Sequence, residues 1–254
     1  MINLSLRPPT LAPRPSPYND QVSRTRIKIC GVRDAETARI AAEAGADAIG
    51  LVFIDGSPRR VTPDQAAHIV AAIPAFVEPV ALFVDAPIAE MKTIATGLGV
   101  RTIQLHGREQ IEDARELAPL HVIKALPFEP ESLGATIEWW RRECTNLAGV
   151  LVDHPVAADA RPAERGGQGE TIDWTSLSRL RRADHAPCLV LAGGLDPTNV
   201  GEAIATARPD AVDVSSGVER ERGVKDSELI RSFCRAVVES DQAMRRASSS
   251  FRTE

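Results

Sequence analysis

CLVLAGGLDPTNVGEAIATARPDAVDVSS, residues 188–216, is the stretch that decides the fold. It begins with the apolar run CLVLAG (188–193), continues with a helical pattern that opens near a proline (196–207), and ends with AVDVSS (211–216). A strand, a helix and a strand in this order predict a βαβ unit with parallel strands and a right-handed crossover.

The same alternation extends from Arg26 to the C-terminus. Helical patterns between the strands include AETARIAAEAGA (35–46), which places alanines on one stripe, and PDQAAHIVAAIP (63–74), which opens with a proline. Eight strands are predicted: RIKIC (26–30), DAIGLVF (47–53), PVALFV (79–84), RTIQLH (101–106), HVIKAL (121–126), GVLVD (149–153), CLVLAG (188–193) and AVDVSS (211–216).

Eight such units fit either a closed barrel or an open doubly wound sheet. An open sheet that binds a dinucleotide should carry GxGxxG directly after its first strand, whereas CGVRDAE follows the first strand here. We therefore predict an α/β fold with a single (β/α)8 TIM barrel over residues 24–240, which also suits the length of 254 residues. Residues 1–23, rich in proline, are predicted to be a disordered extension, and residues 241–254 a polar C-terminal tail.

Composition and charge exclude several classes of protein. The net charge of -5 argues against nonspecific binding to nucleic acid or to an anionic membrane surface. No apolar run approaches the ~18 residues that cross a bilayer, and the first residues lack the apolar core of a signal peptide. Four scattered cysteines without a CxxC pair predict neither a disulfide framework nor a metal site. We therefore expect a cytoplasmic protein; the sequence leaves monomer and homodimer open.

Candidate catalytic residues lie where the predicted strands end, because TIM barrels bind ligands at the carboxyl ends of their strands. Cys30 ends the first strand, His106 the fourth and Asp153 the sixth. The cysteine is either a small buried apolar residue or a reactive thiol. A carboxyl group such as Asp153 is either a general acid or a loop cap. Asp213 is either catalytic, a helix cap or a residue that orients another group. The guanidinium group of Arg59 either binds a carboxylate or phosphate or is solvated in its loop.

Small residues cluster after the last three strands. Any one cluster fits an ordinary turn, but three at consecutive loops predict a phosphate site, since exposed backbone N–H groups cradle phosphate oxygens. The predicted phosphate-binding residues are Gly166, Gly167, Gly169, Gly193, Gly194, Ser216 and Gly217. The connection that carries the first cluster, residues 154–172, is unusually long, as functional loops often are.

Together these motifs resemble the phosphoribosylanthranilate isomerase family of tryptophan biosynthesis. The resemblance runs from about Ile27 to Phe233 and is specific as an ordered combination. It is carried by KICGVRDAETARIAAEAGADAIGLVF, SPRRVTP, ALFVDAP, IQLHG, VIKAL, LVD, GGQGETIDW, LAGGLDPTNV and PDAVDVSSGVE. It implies an Amadori rearrangement of a small phosphoribosyl substrate, N-(5′-phosphoribosyl)anthranilate, to its 1-deoxyribulose isomer. No metal, nicotinamide or pyridoxal cofactor is expected, because the substrate supplies the nitrogen of the Schiff base.

The resemblance also implies residue roles. Cys30 matches the general base at ribose C2, and Asp153 matches the general acid that protonates the ring oxygen. Arg59 matches the arginine near the anthranilate carboxylate. His106 and Asp213 match supporting substrate-binding positions, and the glycine segments match the phosphate cradle.

Two departures from the family pattern keep alternatives open. Glu170 stands where the family commonly has lysine, and the segment HPVAADARPAER after the sixth strand is atypical. A related phosphosugar isomerase of histidine biosynthesis is one alternative, although its resemblance predicts aspartate in place of Cys30. A noncatalytic phosphosugar-binding barrel is another; Glu170 favours it, and the combination of Cys30 with Asp153 argues against it.

Overall fold

The structure, a computed structural model, describes residues 24–155, 169–180 and 186–250. Its strands are β1 (Arg26–Cys30), β2 (Ala48–Val52), β3 (Glu78–Phe83), β4 (Thr102–Leu105), β5 (His121–Pro127), β6 (Leu147–Asp153), β7 (Cys188–Leu191) and β8 (Ala211–Val214). These eight parallel strands pair in chain order, and β8 closes onto β1. The predicted (β/α)8 barrel is confirmed.

Helices follow the strands around the outside of the barrel. They are α1 (Ala35–Glu43), α2 (Pro63–Ala72), α3 (Ile88–Leu98), α4 (Ile111–Glu116), α5 (Leu133–Glu143), α6 (Trp174–Ser178), α7 (Val200–Ala207) and α8 (Ser227–Ser250). Local sequence fixes their starts: Thr62 and Gln65 form a capping box that satisfies free N–H groups at the start of α2. None of the helices in the described ranges is both long and apolar enough to span a membrane.

Strand alternation divides the buried side chains into two sets. Outward side chains such as Ile27, Ile29 and Phe83 are buried in the core that contains helix residues, and burial of each contributes about 1.5–3 kcal/mol. The opposite faces form two smaller clusters inside the barrel, one of which contains Cys30 and Leu82. Because alternate residues share a face, the alternation that packs Ile27 and Ile29 outward places Lys28 and Cys30 inside the barrel.

The last helix extends past residue 240, where the sequence predicted the barrel domain to end. Asp241 is buried, and its carboxylate accepts hydrogen bonds from the backbone N (2.8 Å) and Oγ1 (2.7 Å) of Thr25. Met244, one turn later, packs against the main core. These contacts join the end of the chain to the start of β1 and explain why the helix continues. The predicted extension, residues 1–23, lies outside the described residues.

A small hairpin follows β8 and closes over one side of the barrel. Its strands, β9 (Glu219–Glu221) and β10 (Val224–Lys225), pair antiparallel. Its turn lies against the loop after β2, because a Cβ added to Gly223 would lie 2.5 Å from the carbonyl oxygen of Pro58. The hairpin therefore brings charged side chains close to that loop.

Candidate active site

Cys30 is the last residue of β1 and is buried at the carboxyl end of the barrel. Burial raises the pKa of its thiol, and the positive charges of Lys28 and Lys225 only partly oppose that effect. Among the described residues the other cysteines lie in different surroundings: Cys144 at the end of α5, Cys188 at the start of β7 and Cys234 in α8. Of these, only Cys30 lies at the carboxyl end of a strand.

Asp153 ends β6 and belongs to a row of polar side chains across the carboxyl end of the barrel, which we call the mouth. Its Oδ2 lies 3.3 Å from Nε2 of His106, which directly follows β4. On the other side of the imidazole ring, Nε2 of Gln104 lies 3.0 Å from Nδ1 of His106. With Gln104 as donor, the ring carries its proton on Nε2 and points it toward Asp153. The structure thus joins the two predicted residues, His106 and Asp153, through direct contact.

Arg59 is held by a carboxylate that the sequence analysis did not single out. Its Nε and Nη2 donate to the two carboxylate oxygens of Glu219 at 2.8 and 3.0 Å. Lys225 donates to the same carboxylate at 2.8 Å and to the carbonyl oxygen of Ser215, also at 2.8 Å. Burial disfavours the charge on Glu219, but hydrogen bonds from Arg59 and the charge of Lys225 outweigh it and lower its pKa to about 2. Glu219 therefore takes two of the five N–H donors of the Arg59 guanidinium group.

Asp213 lies on β8 inside the barrel, and its carboxylate is committed to a protein partner. Oδ1 accepts a hydrogen bond of 2.7 Å from Nζ of Lys28, and both side chains are buried. Oδ1 of Asp213 is therefore occupied by Lys28, and the substrate-binding role of Asp213 stays a prediction.

The predicted phosphate cradle is formed by backbone turns that pack on one another. Gly193 and Gly194 follow β7 with φ of 81° and 59°. Gly169 lies in the segment before α6, and Ser216 and Gly217 lie in a short 3-10 turn after β8. A Cβ on Gly217 would lie 1.9 Å from the carbonyl oxygen of Leu195, so the last two loops are in contact. The predicted residues Gly166 and Gly167 lie outside the described residues.

Replacing Gly194 with alanine is expected to lower the free energy of unfolding by about 1–3 kcal/mol, because its φ suits glycine. The added Cβ would also lie 2.6 Å from the carbonyl carbon of Glu170 and 2.7 Å from the nitrogen of Thr171, both backbone atoms. Urea denaturation measures the change. The control is Gly201→Ala in α7, where the new Cβ would meet only Ser240 Cβ at 4.0 Å. That variant should match or exceed wild-type stability; equal stability of the two variants would contradict the packing argument.

Glu170, the departure from the family pattern, is turned toward a neighbouring side chain. Its Oε2 lies 3.1 Å from Nε2 of His154, and 63% of its side chain is exposed. Only its backbone is packed against the glycine turn after β7. The acidic group that the sequence placed near the phosphate cradle therefore lies mostly in solvent.

Open space for a ligand adjoins the loops after β2 and β3. A cavity of about 1010 Å³ is lined by residues that include Ile54, Val84 and, from the hairpin turn, Arg222. Ile54 and Val84 also belong to the inner apolar cluster that contains Cys30. An aromatic ring bound there would lie on an apolar surface continuous with the thiol. Over the described ranges, no group of three or more His, Cys, Asp or Glu side chains has a metal-binding arrangement.

Comparison with known proteins identifies the family. The sequence profile described as N-(5'-phosphoribosyl)anthranilate (PRA) isomerase matches residues 27–236. The chain belongs to this family. A family member from Azotobacter vinelandii, named N-(5'-phosphoribosyl)anthranilate isomerase, is 45% identical over 216 residues, which are 85% of this chain and 98% of the relative.

Solved structures of family members have the same fold. One is a phosphoribosyl anthranilate isomerase in complex with reduced 1-(o-carboxyphenylamino)-1-deoxyribulose 5-phosphate, with a TM-score of 0.71 and 34% identity. Another is described as mutually generated monomers of the dimeric isomerase from Thermotoga maritima, also with a TM-score of 0.71 and 34% identity. Each match covers 85% of this chain and 99% of the solved chain.

Four polar residues of the site were missed by the sequence analysis: Lys28, Gln104, Glu219 and Lys225. Two of them could have been predicted from strand alternation. Lys28 lies two positions before Cys30, and Gln104 two positions before His106, so each shares a strand face with a candidate residue. The pairing of Glu219 with Arg59 spans 160 positions. No local pattern in the sequence indicates it.

Proposed function

We propose that this protein converts N-(5′-phosphoribosyl)anthranilate into 1-(2-carboxyphenylamino)-1-deoxyribulose 5-phosphate by an Amadori rearrangement, a step of tryptophan biosynthesis. It is an isomerase of the aldose–ketose type. The observation that carries the assignment of roles is that a thiol and a carboxyl group end β1 and β6 of one barrel, beside packed glycine turns, in a chain of this family.

Ring opening requires an acid at the furanose oxygen, and Asp153 is the group that fits. Its Oδ1 accepts a hydrogen bond from the backbone N of His154 at 2.8 Å, while Oδ2 faces His106. These contacts fix the carboxyl group at the mouth. Proton donation to the ring oxygen breaks its bond to ribose C1, and the anthranilate nitrogen becomes the nitrogen of a protonated Schiff base.

Enolisation then requires a base at ribose C2, and Cys30 is the group that fits. It lies in an apolar cluster at the end of β1, so bulk water is excluded from the thiol. The acid and the base occupy different surroundings, one polar and half-buried and one apolar and buried. Burial raises the pKa of the thiol, so the base step needs a neighbouring group that favours the thiolate.

The remaining predicted residues suit binding of the two anionic ends of the substrate. The glycine turns after β7 and β8 offer backbone N–H groups to the phosphate. Arg59 keeps N–H donors that Glu219 does not take, which suits the anthranilate carboxylate, and Ile54 and Val84 offer apolar side chains in the cavity against which an aromatic ring can lie. The family member solved with the reduced deoxyribulose phosphate binds a ligand with both these ends.

The direct test is turnover of freshly generated phosphoribosylanthranilate, followed by loss of its anthranilate fluorescence. Wild-type protein should consume the substrate. No turnover by folded protein that still binds the reduced product analogue would overturn the proposal and favour the noncatalytic phosphosugar-binding alternative. Turnover of the corresponding histidine-pathway substrate instead would favour the other enzyme.

Replacing Glu219 with glutamine is expected to lower kcat/KM by roughly 10–100-fold, because hydrogen bonds to charged groups contribute about 1.5–3 kcal/mol. The amide oxygen of the new side chain would accept from Arg59, but the amide NH2 group would face a second donor of the guanidinium group. The control is Glu143→Gln, which alters an exposed pair with Arg115 (3.0 Å). That variant should keep wild-type kcat/KM; equal losses in both would show that Glu219 does not act on the site.

Glu219 also links stability to pH. Because its pKa is lowered, the ionised carboxylate stabilises the fold above its ordinary pKa of 4.5. This contribution is lost as the pH falls from about 4.5 toward about 2. The difference in unfolding free energy between wild type and Glu219→Gln should therefore be constant near neutral pH and shrink over that acidic range. A difference that stays constant down to pH of about 2 would contradict the stated pairing.

Oligomeric state and location stay predictions from the sequence. A relative is described as dimeric, and analytical ultracentrifugation would distinguish monomer from homodimer for this chain. A cytoplasmic location and the absence of nucleic-acid partners likewise rest on composition and charge.

A further inference from the structure

Lys28 is a buried cation at the centre of the site that the proposed function does not use. It is 4% exposed and lies inside the barrel, two residues before Cys30 on β1. Its direct partner in the β1–β8 register is Asp213, and the two side chains meet at 2.7 Å. Burying an ammonium group is costly unless it is paired, and the pair alone does not explain why a charge lies beside the thiol.

The neighbouring strand, β2, leaves space for both the thiol and the ammonium group. Gly50 on β2 is the register partner of Cys30. A Cβ added to Gly50 would lie 2.8 Å from Sγ of Cys30 and 3.1 Å from Nζ of Lys28. The two polar atoms therefore face the same point of β2, and a glycine there leaves that space to them.

The chemistry of proton abstraction requires a positive charge near the sulfur. A thiolate is the basic form of cysteine, and burial in an apolar cluster disfavours it. A cation within a few ångströms favours the thiolate by lowering the pKa of the thiol, typically by about 1–3 units. Lys28 can supply that charge: burial alone would lower the pKa of its ammonium group, but the negative charges of Asp213 and Cys30 outweigh burial and raise the pKa.

We propose that Lys28 is a positioning residue whose ammonium group stabilises the thiolate of Cys30, while Asp213 holds Lys28 in place inside the barrel. The inference rests on the proposed function for the identity of the reaction. When the thiolate removes the proton from ribose C2, an S–H bond forms and the C2–H bond breaks. The freed electron pair forms the C1–C2 double bond, and the π electrons of the C1–N double bond move to the Schiff-base nitrogen and neutralise it. Lys28 keeps its own proton throughout.

Other charged groups also act on the thiol, and their contributions differ in sign. Lys225 on β10 favours the thiolate, and Asp213 on β8 disfavours it. Lys225 is already bound to Glu219 and to Ser215, on the hairpin side. Substitutions of Lys28 and Asp213 should therefore move the ionisation of Cys30 in opposite directions, which a purely structural role would not produce.

The test is the pH dependence of Cys30 alkylation by iodoacetamide, followed on the Cys30 peptide by mass spectrometry. Lys28→Met should raise the pH of half-ionisation of Cys30 by about one unit or more. Asp213→Asn should lower it, because the amide oxygen still accepts the hydrogen bond that holds Lys28 while the negative charge is removed. The control is Lys124→Met, which also breaks a buried lysine–carboxylate pair, with Glu109 at 2.8 Å, and leaves the side chains around Cys30 intact. Its half-ionisation pH should equal that of wild type. An unmoved value in Lys28→Met, or shifts of the same sign in both variants, would overturn the proposal.

A double variant keeps the test valid if Lys28→Met does not fold, since that change leaves Asp213 buried without its partner. Lys28→Met with Asp213→Asn removes both charges. In the double variant, the half-ionisation pH of Cys30 should be at least about one unit higher than in Asp213→Asn alone. Equal half-ionisation pH values would overturn the proposal. The readout does not depend on turnover. If the variants show these shifts but wild type does not turn over the substrate, only the proposed function is contradicted. If wild type turns over the substrate but the variants show no shifts, only the Lys28 inference is contradicted.

Discussion

Replacing Cys30 with alanine is expected to lower kcat for phosphoribosylanthranilate by about 10²–10⁴-fold, the usual contribution of a general base. Alanine keeps the small apolar volume in the cluster with Leu82 and Val84 but provides no group that accepts the C2 proton. KM should change little, because the side chain is not assigned to either anionic end of the substrate. Loss of anthranilate fluorescence under saturating substrate measures kcat directly.

A second buried cysteine provides the control for this prediction. Cys144 ends α5, where its thiol donates to Oδ1 of Asn146 at 3.3 Å, outside the barrel mouth. Cys144→Ala should lower stability by about 1 kcal/mol and leave kcat near the wild-type value. If Cys30→Ala turned over substrate within a few fold of wild type, the base would have to be another group. Asp213, whose charge acts on Cys30, would then be a carboxylate to test as the base.

The strands could be predicted well from the sequence, because buried parallel strands are short apolar runs with turns after them. β1 has the predicted bounds, and the other seven strands lie within a few residues of theirs. At the carboxyl ends of the strands, the largest differences occur where backbone turns begin early. β7 stops at Leu191 because Gly193 has positive φ, and β8 stops at Val214 because Ser216 begins a 3-10 turn.

The site was predictable in position but not in its pairings. Strand ends place Cys30, His106 and Asp153 at one edge, since all eight strands are parallel. Which side chains meet there depends on the register between strands and on the hairpin after β8. For this reason, only the structure shows that His106 contacts Asp153 and that Arg59 forms an ion pair with Glu219.

Replacing Asp153 with asparagine is expected to lower kcat by about 10²–10⁴-fold, because asparagine has no acidic proton to donate to the ring oxygen. The two side chains have nearly the same shape, so the amide oxygen of the new side chain would still accept the hydrogen bond from the backbone of His154. The NH2 group of asparagine would face the Nε2 proton of His106, so a modest loss of stability should accompany the much larger loss of kcat. Initial rates at saturating substrate, together with thermal unfolding, separate the two effects.

A buried aspartate far from the mouth supplies the control that makes the Asp153 result interpretable. Asp241 caps the start of β1 at the opposite end of that strand from Cys30, through its bonds to Thr25. Asp241→Asn should lower the unfolding temperature without lowering kcat, whereas the expected loss in Asp153→Asn falls mainly on kcat. If Asp153→Asn kept most of its kcat, proton donation would have to come from His106. His106→Gln would then lose more activity than Asp153→Asn, whereas the proposed roles require the larger loss at Asp153 because only its carboxyl group donates the proton.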